Sequence, residues 1–259
     1  LNHGTGSQYP IRRTTRYRTV VNANDLTTNL RATDPGSRRM AWWLRYQGLA
    51  DSELAALTAL FRDTRGPLRS FTYLDPEANL LSHSEGLTNA VWQKSAGLSV
   101  GIAASNADVA QTSFQMVSSP GQAGEIYQWL DVPASYRWVL SVYARSTNPA
   151  QVSLFLRKGA DERSRSFPLT PAWRRYSFGD QFWTTGEGLD AGFRMGGGAS
   201  VEITALQLEC QAAPSRYKRS DTHGGVYPDA RFSQDTLRVT TLAANCHQIS
   251  LIITAPLPE

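Results

Sequence analysis

The chain has 259 residues, 41% of them hydrophobic and 19% charged, and a formal net charge of +4. That length can bury one or two cores without covalent staples, and the composition excludes a disordered or low-complexity chain. The charge is uneven: residues 1–50 hold eight Arg against only Asp25 and Asp34, while no Lys/Arg run is dense enough to indicate sequence-specific DNA recognition.

In chain order, residues 9–22 mix β-branched, aromatic and charged side chains and predict one or two strands with a solvated face. A loop at Asp34-Pro35-Gly36 follows. Met40 to Tyr46 then predicts a half-buried strand with Trp42, Leu44 and Tyr46 on one side. Asp51 is expected to cap an amphipathic helix of about four turns, with Glu53 favoured by the helix dipole. Leu54, Leu57, Leu60 and Phe61 form its apolar stripe and Gly66-Pro67 its stop. Ser70 to Leu74 alternates as a strand ending in Asp75-Pro76, so strand, helix and strand organise residues 37–76.

From Asn79 the texture changes to short strands between turns. Candidates are 125–132, 138–145, 152–158, 173–182, 192–195 and 200–209, a spacing that predicts an antiparallel sandwich. After Gly224-Gly225 come two strong strands, Asp235–Leu242 and His247–Thr254. A hairpin this apolar needs a partner sheet, and the first segment is too small to close its own core. Residues 1–77 and 218–259 are therefore expected to form one discontinuous domain, with 78–217 inserted as a sandwich. Loop-closure entropy grows slowly enough with length to permit such an insertion.

Cys210 and Cys246 lack CxxC spacing, and His3, His83, His223 and His247 are scattered, so no metal site or cofactor is expected and the thiols are read as unpaired. No cleavable leader pattern and no apolar run near ~18 residues is present, so neither leader-directed secretion nor a membrane span is expected. The chain starts at Leu1 instead of Met, which suggests a trimmed or partial start.

The carboxylates and serines form no catalytic constellation in the sequence. Glu125 with Asp131, and Glu187 with Asp190, sit at strand edges or in turns and read as structural or solvated. Ser84 and Ser118 have no nucleophile-elbow context, and Gly196-Gly197-Gly198 reads as a turn and not a phosphate loop. No enzyme activity is expected. Sugar binding would need exposed aromatic rings with polar neighbours. Trp138, Leu140, Val142 and Trp173 fit inward positions, leaving Trp129, Trp183 and Tyr127 as glycan-binding candidates. The Arg-rich start, with Arg12, Arg13, Arg16, Arg18, Arg38 and Arg39, reads as solvated strand faces and rim contacts to neighbouring subunits, or as a surface meeting nucleic acid or acidic partners.

Trp42-Trp43-Leu44-Arg45-Tyr46, Leu49-Ala50-Asp51-Ser52-Glu53, Leu60-Phe61, Gly66-Pro67-Leu68 and Phe71-Thr72-Tyr73-Leu74-Asp75-Pro76 together resemble the N-terminal domain of phage distal tail proteins and their tail-tip relatives in gene transfer agents. The resemblance implies a tube-type β-sandwich with one flanking α-helix. It also implies a ring, usually a homohexamer, between the tail tube protein and the hub or fibre proteins of the baseplate. Asn79-Leu80-Leu81-Ser82-His83-Ser84-Glu85 with Trp92-Gln93-Lys94-Ser95 is similar to the opening of carbohydrate-binding-type jelly rolls in phage tail proteins. Trp173-Arg174-Arg175, Gly196-Gly197-Gly198, Ala205 to Glu209 and Pro214-Ser215-Arg216-Tyr217 are similar to their closing half.

The expectation is thus a mainly β structural protein of a virion tail tip, made in the bacterial host cytoplasm, whose inserted jelly-roll sandwich binds a host surface glycan or serves only as a spacer. The alternative is a carbohydrate-binding module or receptor-binding adhesin that is not part of a tube.

Overall fold

The computed structural model describes residues 8–23, 29–34, 36–104, 107–133, 135–183 and 186–257. Pro35 of the expected first turn and Thr184-Thr185 lie outside them. The chain divides into two compact units, one from residues 1–73 and 227–259 and one from 74–226. The first contains β1 (Gln8–Arg16), β2 (Thr19–Ala23), β3 (Asn29–Thr33), β4 (Arg39–Leu49), α1 (Asp51–Asp63) and β5 (Phe71–Leu74). The second contains β6 (Gln93–Lys94), β7 (Leu98–Ile102), β8 (Phe114–Ser118), β9 (Gly124–Pro133), β10 (Arg137–Arg145), β11 (Gln151–Lys158), β12 (Asp161–Pro168), β13 (Arg174–Gln181), β14 (Glu187–Met195) and β15 (Ser200–Glu209). The chain then returns to the first unit through β16 (Val226–Phe232), β17 (Val239–Ala243) and β18 (Cys246–Pro256).

In the first unit β18 lies beside β4, and β1, β4, β18, β16 and β5 run in that order, with β17 also on β18; β2 and β3 pair as a separate hairpin. Cross-strand partners share a face. Trp42 opposite Ile253, Leu44 opposite Leu251 and Tyr46 opposite Ile249 therefore make one apolar layer. All six are buried, with Leu57 of α1 and Phe232 of β16 in the same core. Trp42 packs edge-on against Tyr227 at 4.6 Å and tilted against Tyr73 at 4.8 Å. The expected helix stripe is in place, since Leu54, Leu60 and Phe61 pack on this core.

The cap of α1 differs from the expectation. Ala50 is the capping residue, and its backbone N–H donates to Glu53 Oε2 at 3.0 Å. Asp51 is the first helical residue, and its carboxylate is taken by His247 Nε2 at 2.6 Å, with Thr241 Oγ1 at 3.1 Å from His247 Nδ1. A contact nearly two hundred positions away in sequence thus displaces a local cap. β16 is not among the expected strands, because Pro228 and Asp229 interrupt its pattern. The strand expected from Asp235 is shorter, starting at Val239.

The second unit is a sandwich of two five-stranded antiparallel sheets, β13-β10-β15-β8-β7 and β12-β11-β14-β9-β6. Trp138, Leu140, Val142, Ile126, Leu130, Leu154, Leu156, Phe193 and Leu206 fill the space between them. Trp173, expected in this core, is only half-buried, with Arg145 over its ring at 5.1 Å. β12 escaped the sequence reading because Asp161 to Ser166 is wholly polar; it is an edge strand held by eight consecutive pairs with β11.

The opening segment is a set of polar latches. Asn79 accepts from the N–H groups of Leu81 and Leu208 and donates to Leu206 O at 2.8 Å. Trp92 Nε1 donates to His83 O at 3.0 Å. Tyr217 OH donates to Glu85 Oε1 at 3.0 Å and lies 2.8 Å from Ser84 Oγ. Ser220 N–H donates to Ser84 Oγ at 2.9 Å. The start and end of the unit are thereby tied together. Pairing of Asp75 and Asn79 with Gly225 carries the sandwich past the expected boundaries at 77 and 218. Cys210 and Cys246 are free thiols in different units.

Candidate functional site

β9 alternates buried Ile126, Gln128, Leu130 and Val132 with Glu125, Tyr127, Trp129 and Asp131, which face away from the core. The register sets Trp129 opposite Asp190, Tyr127 opposite Gly192 and Glu125 opposite Arg194 on β14. Across β14, Gly192 and Asp190 face Phe155 and Arg157 of β11, which in turn face Ser164 and Glu162 of β12. One sheet face therefore collects three aromatic rings, two guanidinium groups and at least three carboxylates.

Two glycines of β14 make room for the rings. A Cβ at Gly192 would come within 2.6 Å of Phe155 Cζ and 2.5 Å of Tyr127 Cβ. At Gly188, whose φ is +93°, a Cβ would lie 2.9 Å from Trp129 Nε1. A side chain at either position would push a ring off the sheet. Phe155 is fully buried on this outer face, because Arg157 and Arg194 stack over it at 5.1 and 4.9 Å. Arg157 also stacks on Tyr127 at 4.8 Å.

The two arginines are held in plane by the carboxylates. Arg194 contacts Glu125 at 2.6 Å and Glu162 at 2.8 Å. Arg157 contacts Asp190 at 2.9 Å, Glu125 at 3.4 Å and Glu162 at 3.7 Å. Hydrogen bonding to Arg194 holds Glu162 below the usual carboxylate range, against the opposing effect of partial burial. The Glu162 hydrogen bond likewise raises Arg194. For Arg157 partial burial opposes the charge, and the hydrogen bond and charge of Asp190 outweigh it. A carboxylate held ionised in this way is suited to accepting hydroxyl hydrogen bonds and unsuited to acting as a general acid.

Trp129 is 56% exposed at one end of this face. At the other end a cavity of about 410 Å³ is lined by Ser153, Ser166, Arg194, Gln151 and Gly196. An open indole face beside fixed donors and acceptors can take the apolar CH face of a sugar ring while its hydroxyls reach charged groups.

Of the three aromatic candidates, the fold brings Tyr127 and Trp129 together on one strand face. Trp183, 81% exposed, follows β13 in the other sheet, and no contact joins it to them among the described residues. Glu125 and Asp190, considered as acid–base partners of Asp131 and Glu187, are both engaged by arginine instead. The Glu187 side chain lies outside the described residues. Phe155, Arg157, Glu162 and Arg194 were missed. The signal available for them was charge at alternate positions of otherwise apolar strands.

The six candidate arginines also separate. Arg12 and Arg16 lie opposite Trp43 and Arg39, on the sheet face away from the first unit's core. Arg13 is opposite buried Trp42 and so faces the other way. Arg18 pairs with Asp34 at 3.3 Å, and Arg38 stacks over Tyr17 at 5.5 Å. No group of metal-ligating side chains is present among the described residues, and no helix there is long and apolar enough to cross a membrane.

No protein-family model matches the sequence, and no curated protein matches it. Solved structures similar to the chain include the enzymatically active domain of tailspike protein 4 of bacteriophage CBA120, at 18% identity and TM-score 0.43, covering 53% of this chain and 22% of that one. TmCBM61 in complex with β-1,4-galactotriose matches at 18% identity and TM-score 0.42, covering 51% of this chain and 99% of that one. The CBM22-1 xylan-binding domain of Paenibacillus barcinonensis Xyn10C matches at 20% identity and TM-score 0.42, covering 52% and 96%. The chain thus spans about a fifth of the tailspike structure and nearly all of the two modules. Nothing about a ligand follows from these likenesses.

Proposed function

We propose that the protein is a structural, non-enzymatic component of a bacteriophage tail. In this reading it is a ring-forming distal tail adaptor that joins the tail tube to hub or fibre proteins, and its inserted sandwich offers a glycan-binding face. The observation that carries the reading is the first unit, assembled from both ends of the chain, where β18 pairs with β4 along ten residues and the whole sandwich interrupts the sheet. A free-standing binding module has no use for this second core. The resemblance of residues 42–76 to distal tail proteins points the same way.

The ring would be closed by heterologous contacts. β1 is an edge strand studded with charged side chains, a device that prevents indiscriminate pairing. Repetition of the Trp129 face around a ring would turn weak glycan contacts into avidity. The virion tail tip is the proposed location, after synthesis in the host cytoplasm.

The experiment is immunogold labelling of particles of the encoding phage. Gold at the distal end of the tail tube is expected, and unlabelled particles would overturn the reading. A second reading, a carbohydrate-binding module or adhesin outside any tube, is favoured by the sandwich's own closed core and exposed Trp129. It predicts glycan binding by a protein absent from particles.

A further inference from the structure

The first unit contains thirteen Arg, no Lys and eight carboxylates, whereas the second is close to neutral. On the sheet face away from its core, cross-strand rows can be followed over three strands. Arg16 lies opposite Arg39 and Arg39 opposite Pro256; Thr14 faces Ala41 and Thr254; Arg12 faces Trp43 and Ile252; Arg45 faces Ser250. No carboxylate occurs in these rows.

The pair Arg16 and Arg39 is the unusual feature. Like charges directly opposite on adjacent strands destabilise a sheet, and both are exposed with no ion pair among the described residues. A cavity of about 500 Å³ opens beside them, lined also by Tyr17 and Ser37. The carboxylate at its wall, Asp34, is neutralised by Arg18 at 3.3 Å. Two guanidinium groups placed together without a counter-charge leave a position that an anion would fill, and arginine forks bind phosphate oxygens in pairs.

The rows also have length. Arg39 to Arg45 is six residues of β4, about 20 Å at the strand rise, long enough for several nucleotides of an extended strand. Trp43, 37% exposed in the row of Arg12, supplies an aromatic face between the charged ends. Cationic groups spaced along a sheet face with an aromatic ring among them are the elements that hold single-stranded nucleic acid.

We propose that this open sheet face binds a nucleic-acid strand through its phosphate backbone, with Arg16 and Arg39 clamping one phosphate, Arg12 holding another, and Trp43 stacking on a base. This inference is independent of the glycan reading, since it uses only residues of the first unit, and it is tested on the chain in solution.

The test is fluorescence anisotropy of the full chain with labelled dT20, a 20-base-pair duplex and length-matched poly-glutamate as competitors. Two neutralised phosphates predict a log–log salt slope of about −1.4 for a single strand, hence a loss on the order of 7-fold between 50 and 200 mM salt. Arg16→Ala with Arg39→Ala should cut the slope to about −0.7. Trp43→Ala should weaken binding severalfold without changing the slope. Because Arg16 opposes Arg39, Arg16→Ala alone should melt no lower than the parent, which separates lost binding from lost fold. The proposal is overturned by absence of dT20 binding at 50 mM salt, by binding insensitive to the double substitution, by preference for the duplex with Trp43→Ala silent, or by poly-glutamate competing as well as dT20.

Discussion

Single residues set the chemistry of both surfaces. Trp129 stays available because Gly188 leaves space beneath its indole, whereas Phe155, two strands away on the same face, is sealed by two arginines. Trp129→Ala should therefore weaken any glycan retained by the sandwich by about tenfold, the loss of one stacking contact, with an unchanged melting temperature. A glycan microarray followed by calorimetry on the strongest hit checks this. Gly192→Val has the opposite profile: it forces Phe155 and Tyr127 apart and should cost about 1–3 kcal/mol of stability, read by denaturant unfolding. Burial pushes the Cys210 thiol and the Tyr46 hydroxyl both up to about 12. Their neutral forms are the ones the fold retains, so their contribution is complete below the unfolded thiol value of about 8.5 and is lost as pH rises toward 12. Melting temperature should fall above about pH 9, and Cys210→Ala should flatten the first part of that fall.

At the scale of elements, the legible parts of the sequence were those whose pattern is local. Helix α1 follows from the spacing of Leu54, Leu57, Leu60 and Phe61, and β4 from the alternation of Trp42, Leu44 and Tyr46. Cores at these positions depend on one period and on burial alone. Where a long-range partner decides, the sequence was silent. Asp51 reads as a cap but serves His247, and β12 reads as loop because its apolar support belongs to β11. The ion-pair lattice on β9, β11, β12 and β14 joins residues 125 to 194 through register, which composition does not encode. His247→Ala removes the tie between the start of α1 and the β17–β18 hairpin and should cost about 1 kcal/mol. The expected sign in hydrogen exchange is faster exchange confined to the first turn of α1 and to β17.

For the molecule as a whole, the proposed roles divide between two separate cores. The tail reading accounts for the core made from both chain ends, the sandwich face for the proposed glycan contact, and the arginine rows for the proposed polyanion surface. Trp42→Ala empties the centre of the first core and should destabilise that unit by about 3–5 kcal/mol. In scanning calorimetry its transition should move down while that of the sandwich stays in place. A common shift of all transitions would mean that the units do not unfold separately. The claim on which the tail reading depends is ring formation, and the direct measurement is the mass of the purified full chain by light scattering across a concentration series, with negative-stain images of the same samples. Closed rings, predicted to contain six copies, are the expected result; a folded chain that remains a monomer at every concentration would contradict the account.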